Sequence, residues 1–320
     1  MELIIKPTAL CNFDCKFCSA YKMNVMHSGN KVPEKIKELI ERMKPQTLIV
    51  TGGDPLMVEP EYFYELYEIG KCPISPTTNL KGFYMNPEKW KDLFNEPWFN
   101  VTTSFNYGNT RMWDSNTVFD ETMFRKVMEK YSKYVNKCLP MFIGVIDYDN
   151  EKYAVDHARL AKDLGTKCKL NNALPIGRQE TAYPRYKMFQ IYLDIIDAGL
   201  GNYEINCIDR RIMRCPYNIE GFCGSSIRSC YVDKDGELHV FRCEDEMELE
   251  GAELTKDEDI FQERISTRPD TVISKSCYSC ELFRLCNNCR TNRRISMNEP
   301  NYCEEMHELL PRLIETGWRL

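Results

Sequence analysis

The feature that most limits the possible folds is a repeated alternation of short apolar runs and amphipathic stretches over the first 200 residues. Six such strand–helix units predict a parallel sheet with helices outside it. This is too few for a closed eight-stranded barrel, so we predict an open, partial (β/α)6 TIM-like barrel with its site at the carboxyl ends of the strands. The predicted strands are residues 2–6, 47–51, 73–78, 99–104, 141–146 and 167–171, and the predicted helices are 33–44, 59–69, 87–94, 121–134, 151–164 and 186–198.

Three cysteines, Cys11, Cys15 and Cys18, follow the first predicted strand. Cysteine thiolates are the usual ligands of iron–sulfur clusters, and a cubane [4Fe–4S] cluster has four irons to ligate. Three cysteines on one short loop leave the fourth iron open for a small molecule to chelate, which indicates a reactive site. A fragment of a zinc site and three buried thiols are the alternatives.

The cysteines are unevenly distributed along the chain. Most of the 16 lie between Cys207 and Cys303, and this shift in composition predicts two domains, residues 1–203 and residues 204–320. The layout of a signal peptide is missing at the start of the chain, and we expect a cytoplasmic protein. In that reducing compartment so many cysteines indicate metal or redox chemistry instead of disulfides.

Charge and hydropathy exclude two classes of partner. The formal net charge is −6 and no block of basic residues occurs, so the chain lacks the electrostatic footprint of a nucleic-acid-binding protein. No apolar run approaches the ~20 residues of a membrane span, which argues against a membrane partner. The four histidines lie far apart in sequence, which weakens a mechanism based on histidine ligands or a histidine-activated nucleophile.

Residues 11–18 have the pattern C-x3-C-x-F-C, with Phe17 before the last cysteine. This pattern resembles the signature of the radical S-adenosylmethionine (SAM) family. The resemblance implies a [4Fe–4S] cluster on the three cysteines, SAM on its open iron and an external electron donor. It also implies cleavage of SAM to methionine and a 5′-deoxyadenosyl radical, which abstracts hydrogen from a substrate.

Further motifs resemble those of the same family at the predicted strand ends. The run Gly52-Gly53-Asp54-Pro55 lies where the family has a G-G-E-P motif that contacts the SAM amino group, with Asp54 one methylene shorter than glutamate. The run Thr77-Thr78-Asn79 resembles a T-N-G motif with Leu80 in place of glycine, and for Asn79 and Ser104 capping of a strand end is the alternative. The residues that the resemblance implies for SAM binding are Phe17, Gly52, Gly53, Asp54, Asn79 and Ser104.

The later cysteines resemble the SPASM domain, whose pattern is C-x(9–15)-G-x4-C, gap, C-x2-C-x5-C-x3-C, gap, C. The resemblance implies two auxiliary [4Fe–4S] clusters, one on Cys223, Cys230, Cys243 and Cys289, and one on Cys277, Cys280, Cys286 and Cys303. Two spacings depart from the pattern, because six residues separate Gly236 from Cys243 and only two separate Cys286 from Cys289. Paired zinc knuckles are the alternative, although their spacers are usually about 12–20 residues long.

The combined resemblance implies a peptide- or protein-modifying enzyme of the sulfatase-maturase type, which oxidises, cross-links or epimerises its substrate. Glu244 and Asp245 follow Cys243, where relatives have an acid assigned as proton acceptor; a solvated acidic loop is the alternative. Because the chain begins at the first predicted strand, we expect the barrel and SPASM surfaces, or a separate recognition protein, to bind the peptide. The other hypotheses are a dehydrogenase of a small alcohol or sugar and a non-catalytic iron–sulfur or zinc protein.

The remaining features are assigned to structure. The polar loop 106–120, which carries Trp113, is predicted to be a surface loop, with lining of the substrate opening as the alternative. Five cysteines lie outside both motifs. Cys72, Cys138 and Cys168 are predicted to be buried apolar residues, and Cys207 and Cys215 lie at the domain junction, where an additional ligand or a hydrogen-atom donor is the alternative.

Overall fold

The computed structural model describes residues 2–175, 177–208, 227–242, 279–282 and 301–318. The strands are β1 (Glu2–Ile5), β2 (Thr47–Val50), β3 (Ile74–Thr78), β4 (Thr102–Ser104), β5 (Phe142–Ile146), β6 (Cys168–Asn172), β7 (Ile227–Val232) and β8 (Leu238–Arg242). The helices are α1 (Glu34–Met43), α2 (Pro60–Gly70), α3 (Lys81–Met85), α4 (Pro87–Asn95), α5 (Glu121–Tyr134), α6 (Ala154–Leu164), α7 (Arg185–Asp197), α8 (Ile205–Ile208) and α9 (Tyr302–Glu315).

The strands form a single sheet in the order β6-β5-β4-β3-β2-β1-β7-β8. Strands β1 to β6 are parallel and neighbouring strands follow one another in the chain. Within the described residues the sheet does not close, since β6 and β8 are its two edges. The predicted open, partial barrel is therefore confirmed, and the carboxyl ends of its parallel strands meet at one edge of the sheet.

Residues 227–242 extend this same sheet. Strand β7 pairs in parallel with β1, with Ile5 opposite Cys230, and β8 returns antiparallel to β7. The turn between them contains Gly236 at φ +82°, and Asp233 accepts hydrogen bonds there from the backbone N–H groups of Asp235 and Glu237. Strands β7 and β8 thus form a hairpin around Gly236. The domain boundary between 203 and 204 remains a prediction.

Helical periodicity explains which side chains fill the space between sheet and helices. In α1 the residues Ile36, Leu39, Ile40 and Met43 are buried, a spacing that places them on one face. Helix α5 is capped by Asp120, whose carboxylate accepts a hydrogen bond from the backbone N–H of Met123. The buried face of α1 is therefore the one that the helical spacing of its apolar residues predicts.

The carboxyl-terminal helix α9 packs on the barrel. It spans Tyr302–Glu315 and buries Tyr302, Met306 and Leu313. Beyond its end, Trp318 stacks on Tyr192 of α7 with ring centroids 6.3 Å apart and meets Phe189 edge-on. These aromatic contacts attach the end of the chain to the sixth unit of the barrel.

Three details differ from the sequence predictions. Strand β4 was predicted to begin at residue 99 but begins at Thr102. Phe99 forms only an isolated bridge to Ile74. Cys72, Cys168 and Cys207 are buried, but Cys138 is exposed, so its assignment to the core is wrong. The short helix α3 was not predicted. Among the described residues no helix combines the length and the apolar character that crossing a membrane requires.

His157 predicts a specific dependence of stability on pH. Its ring is fully buried, with Nδ1 donating to the Tyr153 carbonyl oxygen (2.9 Å) and Nε2 accepting from the Tyr107 N–H (3.3 Å). Burial lowers the pKa of His157 from 6.5 to about 4. Because the unfolded chain takes up this proton first, we expect the free energy of unfolding to fall, by up to about 3 kcal/mol, as pH drops from about 6.5 to about 4.

The measurement is urea denaturation at several pH values for the wild type and for His157→Gln. The glutamine variant should lack this part of the pH dependence, whereas His239→Gln, at a histidine for which no such burial occurs, should keep it. Identical pH profiles for wild type and His157→Gln would contradict the assignment.

Candidate active site

The site lies where the carboxyl ends of β1 to β4 meet. The cysteine loop 11–18 follows β1, Gly52 and Gly53 follow β2, Asn79 follows β3 and Ser104 ends β4. Because these strands are parallel neighbours, all four segments emerge at the same edge of the sheet. Topology therefore brings together the segments that the sequence motifs single out.

Gly52 and Gly53 lie so close to the backbone of residues 8–10 that a side chain at either position would clash with it. The N–H of Gly53 donates to the Thr8 carbonyl (2.9 Å) and the N–H of Asp54 donates to the Leu10 carbonyl (2.8 Å). A Cβ on Gly53 would lie 2.0 Å from the Leu10 oxygen, and one on Gly52 would lie 2.7 Å from the Thr8 oxygen. Gly52 also has φ +116°, which favours glycine. These glycines position the chain that leads into the cysteine loop.

Asp54 is buried and its carboxylate is used within the protein. It accepts hydrogen bonds from the Leu56 N–H (2.9 Å), the Thr78 hydroxyl (2.9 Å) and the Asn79 N–H (2.8 Å). Burial raises the pKa of Asp54, and these hydrogen bonds oppose the increase. The structure therefore shows Asp54 supporting the end of β3. Its predicted contact with SAM remains a prediction.

Asn79 connects β3 to the cysteine loop. Its Nδ2 donates to Asn12 Oδ1 (2.8 Å) and lies 3.7 Å from Cys11 Sγ, while its Oδ1 accepts from the Lys81 N–H (2.8 Å). The next residue, Leu80, is fully buried at φ +62°, a left-handed conformation that favours glycine. Leucine therefore occupies a backbone position that favours glycine, the residue that the T-N-G motif has there.

Two thiols of the cysteine loop, those of Cys11 and Cys18, are difficult to ionise without a cation. Burial, followed by the nearby Asp54 carboxylate, raises the pKa of Cys11 to about 12. Burial also raises the pKa of Cys18, and Arg178 and Arg111 act in the opposite direction. A bound metal deprotonates its thiol ligands outright. These cysteines therefore need a metal centre to become thiolates near neutral pH.

The loop 106–120 covers the cysteine loop. The N–H of Asp14 donates to the Met112 carbonyl (3.1 Å) and that of Lys16 donates to the Thr110 carbonyl (2.9 Å). Trp113 packs on Phe13, with ring centroids 5.5 Å apart. The prediction of a plain surface loop is thus wrong for residues 110–113.

Arg111 extends from this covering loop into the site. Its Nη1 donates to Ser104 Oγ (3.2 Å) and its Nη2 to Asn106 Oδ1 (3.2 Å). The guanidinium carbon lies 5.1 Å from the centre of the Phe17 ring. Arg111 Nε is buried and has no hydrogen-bond partner among the described residues. This orphaned donor is available to an anionic group bound beside the cysteines.

Lys81 holds the other side of the cysteine loop. Its ammonium donates to the carbonyl oxygens of Asn12 (3.0 Å) and Trp113 (2.5 Å). It also lies over the Trp113 ring, 4.6 Å from the centroid. Lys81 therefore joins the start of the cysteine loop to the loop that covers it.

A third cation, Arg178, connects the end of the barrel to its beginning. Its backbone N–H donates to the Cys18 carbonyl (3.0 Å), and its Nη1 donates to the Cys15 carbonyl (3.1 Å) and to Asp14 Oδ1 (2.5 Å). A Cβ on the preceding Gly177, at φ +69°, would lie 2.3 Å from the Cys18 oxygen. We call residues 177–178 the clasp, because they hold the cysteine loop from the β6 side.

These observations fit a cofactor with one anionic group beside a thiolate-bound cluster. A [4Fe–4S] cluster would be held by Cys11, Cys15 and Cys18, and the orphaned Arg111 Nε is suited to the carboxylate of SAM. Within the described residues no three His, Cys, Asp or Glu side chains converge closely enough to hold one metal ion. A cubane does not require such convergence, because each thiolate binds a different iron.

The predicted auxiliary ligands are only partly described. Cys230 is fully buried in the core of β7, and burial raises the pKa of its thiol. Cys280 is half-buried and Cys303 is exposed. The other predicted auxiliary ligands, Cys223, Cys243, Cys277, Cys286 and Cys289, and the predicted acids Glu244 and Asp245 lie outside the described residues. Both auxiliary clusters therefore remain predictions.

Sequence reasoning missed the three cations Arg111, Lys81 and Arg178. Each is the basic residue within a segment that follows a predicted strand: the loop after β4, the position after T-T-N-L, and the run Pro175-Ile-Gly-Arg178. Their placement at strand ends was a usable signal. Their roles depend on tertiary contacts that no local pattern specifies.

Comparison with known proteins finds one family model that matches the chain. Residues 5–161 match the family model described as the Radical SAM superfamily. No curated protein sequence matches the chain.

Two solved proteins share the fold. Native anSMEcpe with bound AdoMet and the Cp18Cys peptide is 20% identical, with a TM-score of 0.66 and coverage of 98% of this chain and 98% of its own. SuiB of Streptococcus suis bound to S-adenosylmethionine is 14% identical, with a TM-score of 0.63 and coverage of 91% and 73%. A second SuiB structure, bound to precursor peptide SuiA, has a TM-score of 0.60, 14% identity and coverage of 91% and 72%. Residues 5–161 therefore resemble the Radical SAM superfamily, and the likeness to the two solved proteins shows the shared fold.

Proposed function

We propose that the protein is a radical SAM enzyme that abstracts hydrogen from a peptide or protein substrate. The observation that carries the proposal is the orphaned Arg111 Nε, buried beside a C-x3-C-x-F-C loop at the carboxyl edge of a parallel sheet. When bound, the [4Fe–4S] cluster and SAM supply a one-electron cleavage of SAM, which gives methionine and a 5′-deoxyadenosyl radical that takes a hydrogen atom from the substrate.

The chain's own residues bind the cofactor and hold the cysteine loop in position. Arg111 neutralises the SAM carboxylate, and Ser104 fixes the guanidinium. The backbone around Gly53 and the Asp54–Asn79 hydrogen bond set the position of the cysteine loop. The covering loop is held against the start of the cysteine loop by Lys81.

Support for a peptide substrate comes from the proteins that share this fold. SuiB is described with its precursor peptide SuiA, and anSMEcpe with the Cp18Cys peptide. By the same analogy the product is an oxidised, cross-linked or epimerised peptide. An external reductant supplies the electron, and the carboxyl-terminal cysteines hold two auxiliary clusters.

The test is production of 5′-deoxyadenosine by anaerobically reconstituted protein with SAM and dithionite. We expect product from the wild type and from Cys138→Ala, at an exposed cysteine remote from the motif, and none from Cys15→Ala. No product from a wild-type protein that carries its iron would overturn the proposal. Deuterium transfer into 5′-deoxyadenosine from a deuterated small protein encoded beside the gene, but not from deuterated glycerol or glucose, would distinguish a peptide from a small alcohol or sugar.

The positive charge of Arg178 in the clasp is expected to raise the reduction potential of the cluster. Removing the Arg178 charge beside Cys18 should favour the oxidised cluster, because net charge near a cluster sets its reduction potential. For Arg178→Gln we expect on the order of a tenfold smaller ratio of reduced to oxidised cluster at fixed potential, a decrease of about 59 mV. The measurement is a redox titration followed by EPR. Arg159→Gln, at an exposed ion pair on α6, is the control, and an unchanged potential in Arg178→Gln would contradict the prediction.

A further inference from the structure

Arg111 is a buried cation whose described hydrogen-bond partners are both uncharged. Its guanidinium donates to the hydroxyl of Ser104 and to the side-chain amide oxygen of Asn106, each at 3.2 Å. Four other arginines in the described part of the chain pair with a carboxylate instead, namely Arg125, Arg159, Arg178 and Arg312. Because a buried charge is ordinarily paired, the neutral partners of Arg111 leave its charge to be balanced by a bound group.

The Asp54 carboxylate does not take the place of that bound group. Its oxygens accept hydrogen bonds from Leu56, Thr78 and Asn79. Burial lowers the pKa of Arg111, and the negative charges of the loop cysteines and of Asp54 oppose this decrease. An arginine keeps its proton in a protein, so the site contains a permanent positive charge.

Asn106 is the partner that fixes the direction of this charge. Its Nδ2 donates to the Val145 carbonyl oxygen (2.6 Å), and its Oδ1 accepts from the Val145 N–H (3.3 Å) as well as from Arg111. The side chain is fully buried, and only an amide both donates and accepts in this way. The backbone of β5 therefore sets which side of Asn106 faces the guanidinium.

An aspartate at position 106 would have nearly the same shape but the opposite electrostatic effect. Its carboxylate would pair with Arg111 inside the protein, and salt screens a buried pair much less than an exposed one. That pair would compete with the carboxylate of a ligand for the same guanidinium. The Val145 carbonyl would keep a donor, because it also accepts from Asn150 Nδ2 (2.8 Å).

We propose that Asn106 is a positioning residue that makes the cofactor site selective for a ligand with a carboxylate, because its neutral amide orients Arg111 without cancelling the charge. The proposal rests on the proposed function, in which SAM binds beside the cysteines. Asn106 acts through Arg111 and does not itself contact the ligand.

The experiment compares SAM with decarboxylated SAM, which keeps the sulfonium and the amino group but has hydrogen in place of the carboxylate. Both dissociation constants are measured by anaerobic equilibrium dialysis on the reconstituted full chain, with iron content determined in parallel. Their ratio gives the preference for the carboxylate, and any other loss that the decarboxylated ligand suffers cancels between variants.

Asn106→Asp should lower this preference about 100-fold, because SAM loses its free cation while the decarboxylated ligand never used it. Asn106→Ala keeps the charge but loses one anchor of the guanidinium, and it should lower the preference about fivefold. Asn150→Ala is the matched control, since it removes the other amide donor to the Val145 carbonyl from an equally buried position. It should keep the wild-type preference.

Equal weakening of both ligands in Asn106→Asp, or an unchanged preference in Asn106→Ala, would show that Asn106 only supports the end of β4 and would overturn the proposal. If Asn106→Asp does not assemble its iron, the alanine variant decides the question alone. These results would leave the proposed function standing. A wild-type protein that carries its iron and binds no SAM would instead remove the proposed function, so the two failures are distinguishable.

Discussion

Arg111→Gln is expected to weaken SAM binding roughly 100-fold, equivalent to about 2.7 kcal/mol. The wild-type guanidinium is buried, and its two Nη groups are already used by Ser104 and Asn106, which leaves Nε for the ligand. Burial lowers the pKa of Arg111, while the neighbouring cysteines and Asp54 raise it. Glutamine keeps a polar group there but removes the charge that pairs with a carboxylate.

The measurement is equilibrium binding of SAM to the reconstituted protein, with iron content determined in parallel. Arg125→Gln is the matched control, because Arg125 pairs with Glu121 on the outer face of α5. It should bind SAM as the wild type does. An Arg111→Gln variant with full iron content and unchanged SAM affinity would remove Arg111 from the binding site.

Gly53→Ala is expected to abolish assembly of the amino-terminal cluster. The new methyl group would overlap the Leu10 carbonyl oxygen at 2.0 Å and the Leu10 carbonyl carbon at 2.6 Å, and neither backbone atom can move without displacing the cysteine loop. We expect a loss of about 3 kcal/mol in the free energy of unfolding, at the upper end of overpacking effects. About four irons per chain should be lost, the content of one cubane.

Iron analysis and urea denaturation check this result. Gly201→Ala is the control, since its nearest neighbour is the Ile196 Cγ1 atom at 3.2 Å, at the end of a side chain that can rotate. It should retain its iron and most of its stability. Wild-type iron content in Gly53→Ala would show that the contact between residues 8–10 and the double glycine does not position the loop.

The sequence predicts the barrel because its strands and helices each carry a strong local pattern. The run TLIVT and the helical spacing of Ile36, Leu39, Ile40 and Met43 specify their elements without tertiary information. Motif spacing then predicts which strand ends form the site, since parallel strands share an edge. The structure brings Phe17, Gly52, Gly53, Asp54, Asn79 and Ser104 to that edge together, as the motifs indicate.

What the sequence does not predict are contacts between distant segments. Nothing local distinguishes Arg111, which is buried, from Arg125, which lies on the surface 14 residues later in the chain. The polar composition of the loop 106–120 favoured a surface position, and its pairing with residues 14–16 overrides that preference. Likewise, parallel pairing of β7 with β1 involves residues more than 200 positions apart, which no periodicity encodes.

The clasp has a consequence for how the protein is made. Arg178 contacts Cys15 across 163 residues of sequence. On the ribosome the chain emerges from its amino terminus, so the three cysteines leave the exit tunnel long before their partner does. A cluster inserted at that stage would lack the hydrogen bonds that the clasp donates to the cysteine loop. Maturation with iron and sulfide is therefore expected after release of the sixth barrel unit, which places cluster insertion late in biogenesis.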